Sequence, residues 1–300
     1  MAGRFSRKNV ALVLLFTLLL VLIVGASLLL TRKESPVVLA LEAGPQSWWA
    51  CALPSFSGSA YRTAIYLDNQ SVLQAMEEET ADAALVPYES LSALPAGYKS
   101  AAVVSCLTLT AVEQSGAKAA TLSAFAGRTA LIPQALRDTP ASAMLTTLLE
   151  RSGVALDLRY VAEEEILAAA QNGTLELAFL PADLAAQVTS AQPALRPSLD
   201  LADAWEQTAG APPAAWVLVL SERAMQQKPN GVRELLSACE SSLGYAHKSH
   251  QKAALLAVEA GLDGGYDAAQ IQAMLPRAGY RFLSGAQART SIQARAALEL

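Results

Sequence analysis

The segment Asp138-Thr139-Pro140-Ala141-Ser142 combines residue types that can hold an anionic group. Thr139 suits a helix N-cap and Pro140 the first helical position. The unpaired N–H groups of that first turn, with the hydroxyls of Thr139 and Ser142, would form a site for negative charge. The same residues also describe an ordinary capped helix. Gly44-Pro45-Gln46-Ser47 offers a weaker version of the argument, because Gly44 lets backbone approach a ligand closely and Gln46 and Ser47 add polar contacts. Trp48 and Trp49 follow at once. Trp48 offers a ring that stacks on a flat or cationic group, and either tryptophan serves equally well as a core anchor. Tyr88 stands in a comparable place, just after Pro87. Trp205 and Trp216 read as structural.

Catalytic chemistry finds little support. His247 and His250 are the only histidines, three apart in a polar stretch, with no acidic or cysteine partner nearby in sequence. A solvated helix face accounts for them better than a metal site, and a Ser-His-Asp or Cys-His system has nothing to draw on. The runs Glu77-Glu78-Glu79 and Glu163-Glu164-Glu165 read as exposed helix faces. There is no GxGxxG, no phosphate-binding loop and no HExxH, so no cofactor or metal is expected and the chain reads as a non-enzyme. Cys51, Cys106 and Cys239 are too few and too widely spaced for a disulfide framework. Cys51 and Cys106 could pair, but buried free thiols fit better.

The elements that must position these residues alternate between short apolar runs and helical ones. Pro36–Leu41, Arg62–Leu67 and Ala83–Val86 read as strands, with a helix over Ser71–Glu79 capped by Ser71. Val103–Val112 reads as one long β run. A second series follows, with strands at Thr129–Ile132, Asp157–Tyr160 and Leu177–Leu180 and helices over Thr139–Arg151 and Glu163–Asn172. Such alternation predicts βαβ units and mainly parallel sheets, here two of them. An internal repeat agrees: Val72–Ala93 aligns without a gap on Ile166–Gln187, matching Pro87 to Pro181 and Glu89 to Asp183. In open α/β sheets ligands sit outside the carboxyl ends of the strands, so residues just after Pro87 and Pro181 are expected to face a shared cleft. Ala214–Leu220 reads as a returning strand, and the chain from Pro229 onward as almost wholly helical.

The chain is 53% hydrophobic and 16% charged, which suits a packed core and not disorder. Part of the apolar excess is the uncharged run Val10–Leu30, long enough as a helix to cross a bilayer core of about 30 Å. Arg4, Arg7 and Lys8 precede it and Arg32 and Lys33 follow, favouring a cytoplasmic N-terminus. An uncleaved anchor fits the length of the run; a secretory signal cut after Ala26 is the alternative. Beyond residue 33 the chain holds 17 Lys and Arg against 27 Asp and Glu, a formal charge of −10, which argues against nucleic acid as a partner.

Together these segments resemble the type 2 periplasmic-binding-protein fold, in particular the nitrate, sulfonate and taurine-type substrate-binding proteins of ABC transporters. "VVLALEAGP" is similar to that family's first strand and ligand loop, "ADAALVPYESLSAL" to its strand, proline and cleft-facing turn, and "NGTLELAFLPADLAAQV" to the second-lobe counterpart. "LSAFAGRTALIP" and "TPASAMLTTLLERSGV" resemble the start of the second lobe. The resemblance implies an α/β, two-lobed fold preceded by one transmembrane helix or signal segment. Residues 34–112 would form the first part of lobe 1, 113–213 lobe 2, and 214–300 the return strand and C-terminal helices completing lobe 1. It implies an extracytoplasmic protein that delivers a small-molecule solute to ABC permease subunits by lobe closure, with Gly44, Gln46, Ser47, Trp48, Tyr88, Thr139, Ser142 and Asp183 as ligand contacts. Family members often carry a small polar residue where Tyr88-Glu89 stand, and Glu-Pro where Ala182-Asp183 stand. These departures leave the solute's charge open between anionic, cationic and zwitterionic. They also permit an anchored sensor or interaction module that has lost ligand binding.

Overall fold

Val37, Leu39, Ala40 and Leu41 are all fully buried, so strand β1 (Val37–Glu42) is covered on both faces. That is the signature of a parallel strand inside an α/β layer, where both faces carry helices and the sequence reads as a continuous apolar run. The computed structural model describes Thr17 and residues 35–56, 59–114 and 121–299. Apart from Thr17, the run Val10–Leu30 lies outside the described residues, as does Ala26. Among the described residues no helix is long and apolar enough to cross a membrane. Both sheets belong to the unit Pro36–Leu300.

The first sheet has six strands in the order β11-β4-β10-β3-β1-β2. Here β2 is Tyr61–Tyr66, β3 Ala83–Pro87, β4 Tyr98–Cys106, β10 Ala214–Ser221 and β11 Tyr280–Ser284. Strands β1, β2 and β3 are mutually parallel, while β10 runs antiparallel between β3 and β4. The second sheet has five strands in the order β7-β6-β8-β5-β9. These are β5 (Thr110–Gln114), β6 (Thr129–Pro133), β7 (Asp157–Val161), β8 (Leu177–Leu180) and β9 (Leu195–Asp200). Again three strands are parallel, β7-β6-β8, and β5 runs antiparallel between β8 and β9. Strands β3 and β8 therefore occupy equivalent places in the two sheets, and they are the strands that the internal repeat aligns.

The helices differ from expectation mainly at their ends. Helix α2 spans Asn69–Glu77, two residues earlier than Ser71, because the Asp68 carboxylate accepts from the Ser71 N–H at 2.7 Å and takes the cap. A four-residue helix, α1 (Leu53–Phe56), precedes it. Helix α3 (Pro140–Ser152) begins as expected from Thr139 and closes on Gly153, whose φ of 63° suits a residue without a side chain. Helices α4 (Glu163–Gln171) and α5 (Ala182–Ala191) flank β8.

Two features depart from the sequence pattern. Val103–Val112 is divided between β4 and β5, because the chain crosses from one sheet to the other at Leu107–Leu109. The C-terminal region is also not wholly helical: Tyr280 and Leu283 bury against β4, adding strand β11 to the sheet edge.

A second crossing follows helix α6 (Leu201–Ala209) at Gly210–Pro213, and the two crossings are tied by Leu107 N–H donating to Pro213 C=O at 2.8 Å. Beyond β10 come α7 (Glu222–Gln227), α8 (Pro229–Lys248), α9 (His250–Glu259) and α10 (Ala268–Met274), then α11 (Gly285–Ala296) after β11. Helix α11 bridges both halves: Ala288 and Ile292 pack on the first-sheet core, and Ala294, with Leu298 just past the helix end, on the second. Its Ser291 hydroxyl donates to Pro212 C=O in the second crossing. All three cysteines are buried free thiols.

Candidate functional site

The loop after β1 is pinned before any ligand arrives. Gly44 N–H donates to Leu262 C=O at 3.0 Å, and the Ser47 N–H and hydroxyl both donate to Gly44 C=O at 3.0 Å. The Tyr280 hydroxyl donates to Pro45 C=O, and the Trp49 indole N–H to Gln46 C=O at 2.9 Å. Gly44 sits at a φ of 141°, packed against Gly264, where a Cβ would come within 2.6 Å of the Gly44 Cα. Only glycines fit this contact. The loop thereby projects Gln46 and Trp48 from a rigid base while Ser47, fully buried, spends both donors on the turn itself.

Gln46 and Trp48 line a cleft of about 300 Å³ at the carboxyl ends of the parallel strands. From the first half it also takes Trp216 at the start of β10, Tyr266, and Arg277 just before β11. From the second half it takes Pro181, Ala182 and Asp183, at the end of β8 and the start of α5. Ser105, just before the first crossing, and Thr108, within it, complete the lining. The cleft thus lies between the two sheets, against the crossings, which is where strand polarity directs a ligand. It runs on into a neighbouring hollow of about 320 Å³ that shares Asp183, Tyr266 and Met274.

The walls are largely aromatic. Trp48 is 1% exposed and meets Tyr266 edge-on, with ring centroids 5.4 Å apart and planes at 83°. Its indole N–H is buried and finds no acceptor, and the same is true of the Arg277 Nε. A buried donor without a partner costs about 1–3 kcal/mol, so two beside one cleft are a notable pairing. Arg277 donates from Nη1 to Ala273 C=O at 2.5 Å and, among the described residues, makes no ion pair. Burial pushes its guanidinium below the usual range. Among the described residues Asp183 is exposed and makes neither ion pair nor side-chain hydrogen bond.

The other residues singled out in the sequence lie elsewhere. Thr139 caps α3 by accepting from the Ser142 N–H at 3.4 Å, and donates to Leu136 C=O at 2.7 Å; the Ser142 hydroxyl donates to Thr139 C=O at 2.9 Å. Both stand at the carboxyl end of β6, one strand beyond β8, and neither lines the cleft. The Tyr88 ring lies under the Arg295 guanidinium at 4.7 Å, packed into the first-sheet core, and Glu89 ion-pairs with the 2%-exposed Arg295. Sequence reasoning missed Trp216, Tyr266 and Arg277 as cleft residues. Their signals were there: Gly264-Gly265 interrupts the helical pattern before Tyr266, and Pro276 and Gly279 bracket Arg277.

No family model and no curated relative matches the chain. Solved structures do. An ABC transporter protein from Parabacteroides distasonis superimposes with a TM-score of 0.59 at 14% identity, over 89% of this chain and 92% of that one. The periplasmic aliphatic sulphonate binding protein SsuA from Escherichia coli gives 0.55 at 12% identity, over 89% and 87%. The described chain has the two-lobed periplasmic-binding-protein fold.

Proposed function

We propose that this chain is an extracytoplasmic solute-binding protein that presents a small solute to the permease of an ABC importer, and that it binds without catalysing. The observation that carries the reading is the cleft between the two sheets, walled by Trp48, Trp216 and Tyr266 and approached by unpaired groups from both halves. A volume near 300 Å³ stands at the small end of ligand pockets, which run from about 300 to 1,000 Å³. The neighbours' printed descriptions as transporter and sulphonate-binding proteins support the same class of role. The apolar run Val10–Leu30 fits a membrane tether, with the binding unit on the outer face.

Within this reading Gln46, Trp48 and Asp183 contact the solute, joined by Trp216, Tyr266 and Arg277. Gly44 and Ser47 hold the loop that aims Gln46 and Trp48. Thr139, Ser142 and Tyr88 lie outside the cleft and take no part in contacting the solute. A solute that touches both halves biases them towards closure, and closure is what a permease would read.

The test is thermal unfolding of the full-length chain in mild detergent against anions, sulfonates, amino acids, polyamines and heteroaromatics. A ligand that binds only the folded state raises the melting temperature. A rise of several degrees with one class supports the proposal; no rise with any class, repeated after unfolding and refolding to strip carried-over ligand, contradicts it.

A further inference from the structure

The internal repeat extends to the turns that precede β3 and β8. Glu79 and Gly173, which it aligns, both take a left-handed φ, of 55° and 70°. The next residues, Thr80 and Thr174, each donate a hydroxyl to the same place in the preceding helix, Ala75 C=O at 3.0 Å and Ala169 C=O at 3.3 Å. The two turns thus bring equivalent surroundings to the amino ends of β3 and β8, the pole of each half opposite the cleft.

Each pole holds a buried carboxylate. In the first half it is Asp82, just before β3, and the chain itself meets it with two cations: the Lys228 ammonium at 2.6 Å and the Arg223 guanidinium at 3.6 Å. In the second half it is Glu113, near the end of β5 and opposite Leu177 of β8. Glu113 is 0% exposed and has one cation. Arg128 donates from Nη1 to its Oε2 at 2.7 Å and from Nη2 to Glu176 C=O at 3.0 Å. The other oxygen, Oε1, is buried without a donor, which is costly for a charged group. No described residue plays the part of Lys228 here. Between 110 and 213 the one lysine is Lys118, within residues 115–120, which lie outside the described residues.

Glu113, Gln114, Arg128, Gly173, Thr174 and Glu176 line a hollow of about 320 Å³ at this pole. Its surplus is of acceptors. Glu176 is exposed and, among the described residues, makes no ion pair. Gln114 spends an amide N–H on Gly173 C=O at 3.2 Å, which leaves its amide oxygen. The backbone N–H groups of Gly173, Thr174 and Leu175 are all spent on carbonyls of α4. Arg128 alone has donors to spare, and it is already held to Glu113. Two carboxylates against one guanidinium favour a cation, and an anion would meet Glu176 and leave Glu113 Oε1 without a donor. A metal ion fits poorly, because no group of three metal-ligating side chains gathers among the described residues. An ammonium carries three donors on a compact charge, the chemistry that Lys228 supplies in the first half.

We infer that this hollow is a second ligand site, for a small primary alkylammonium compound whose ammonium donates to Glu113 Oε1 and pairs with Glu176. It lies at the other end of the strands from the cleft and does not depend on the solute-binding reading.

The experiment is calorimetric titration of the full-length chain in mild detergent, at constant ionic strength, with butylamine and the α,ω-diamines of four and five carbons. Butanol, the tetramethylammonium ion and butanesulfonate are the controls, since none of them joins positive charge to N–H donors. At least one primary amine should bind about ten-fold or more tightly than every control. On adding it, hydrogen exchange read by mass spectrometry should slow over residues 173–177 and stay unchanged over residues 44–49. Glu113→Gln should weaken the amine about ten-fold or more. Glu176→Gln, at an exposed position where folding is not at stake, should weaken it about three-fold and serves as the test if Glu113→Gln does not fold. The site is overturned if no primary amine exceeds the controls, or if its affinity is the same in both variants. Slowed exchange over residues 44–49 in place of 173–177 would make the amine a cleft solute and also overturn it. So would binding that appears only in Lys118→Ala, which would make the chain's own lysine the ammonium. Each of these results leaves the solute-binding reading standing.

Discussion

Asp82 is 2% exposed and carries a dense set of partners: Lys228 Nζ at 2.6 Å, the Val38 N–H at 3.0 Å, and Arg223 at 3.6 Å. It anchors the start of α8 to the edge of β1. Breaking a buried pair leaves an uncompensated charge, so Asp82→Ala should lower unfolding stability by about 3–5 kcal/mol in chemical denaturation. A loss under about 1 kcal/mol would show the pair to be dispensable. Asp200 behaves differently. It accepts from the Thr108 hydroxyl at 2.5 Å and the Ala202 N–H at 2.7 Å, yet burial dominates and raises its pKa. A carboxyl whose folded pKa lies above its unfolded value binds more protons when folded, so its contribution is present at low pH and lost as pH rises through the folded value. Asp200→Asn keeps the acceptor oxygen and removes that penalty. The variant should be at least as stable as the parent at pH 7, and the parent should gain on it as pH falls towards the ordinary 3.8; a gap independent of pH would refute the assignment. Sequence could not separate these two aspartates, because both precede apolar runs and only their three-dimensional partners differ. It also could not separate Trp48 from Ser47, adjacent residues of which one faces the cleft and the other is consumed in its own turn.

At the scale of elements, local pattern carried a long way. The alternation of apolar strands with capped helices placed β1, β3, β6, β8 and α3 closely, since each is specified by contiguous residues: a buried aliphatic run, or Thr139-Pro140 with Gly153. The repeat that aligns β3 with β8 reflects a real equivalence in the two sheets. What local pattern missed depends on distant contacts. Strand β11 follows a helical stretch and exists because β4 offers an open edge. The division of Val103–Val112 depends on Cys106 N–H donating to Gly279 C=O at 2.9 Å, which ends β4 where the chain must turn. Gly279 takes a φ of 66°, and a Cβ there would lie 2.5 Å from Cys106 C=O. Gly279→Ala should therefore cost more than the change of backbone freedom alone, about 2–4 kcal/mol, against about 1 kcal/mol for Gly153→Ala, whose Cβ meets open space at a similar φ. Equal losses at the two sites in denaturant titrations would contradict the close approach. The cleft shows the same division. Its first-half floor was legible in Gly44-Pro45-Gln46 and its second-half rim in Pro181-Ala182-Asp183, while Tyr266 and Arg277 arrive from a segment far along the chain that only the closed sheet brings back.

For the molecule as a whole, the two sheets communicate through two strand crossings and through α11, whose Ala288 and Ile292 lie on one core and whose Ala294 lies on the other. The Arg281–Asp203 pair joins β11 to α6 across the same region. Under the proposed function, closure of the cleft would be a hinge motion at these points. The most direct measurement is the distance between the halves in solution. Glu77 on α2 and Glu164 on α4 are exposed and belong to different halves. Their cysteine variants should label selectively, because burial pushes the Cys51 and Cys106 thiols up to about 12 and that of Cys239 higher still, leaving little reactive thiolate. Pulsed electron resonance on the doubly spin-labelled full-length chain would then give the distance distribution with and without the solute that most raises the melting temperature. A distribution that shortens and narrows at saturating solute is the predicted result. One that stays unchanged, with the solute demonstrably bound, would contradict a cleft that closes on its ligand.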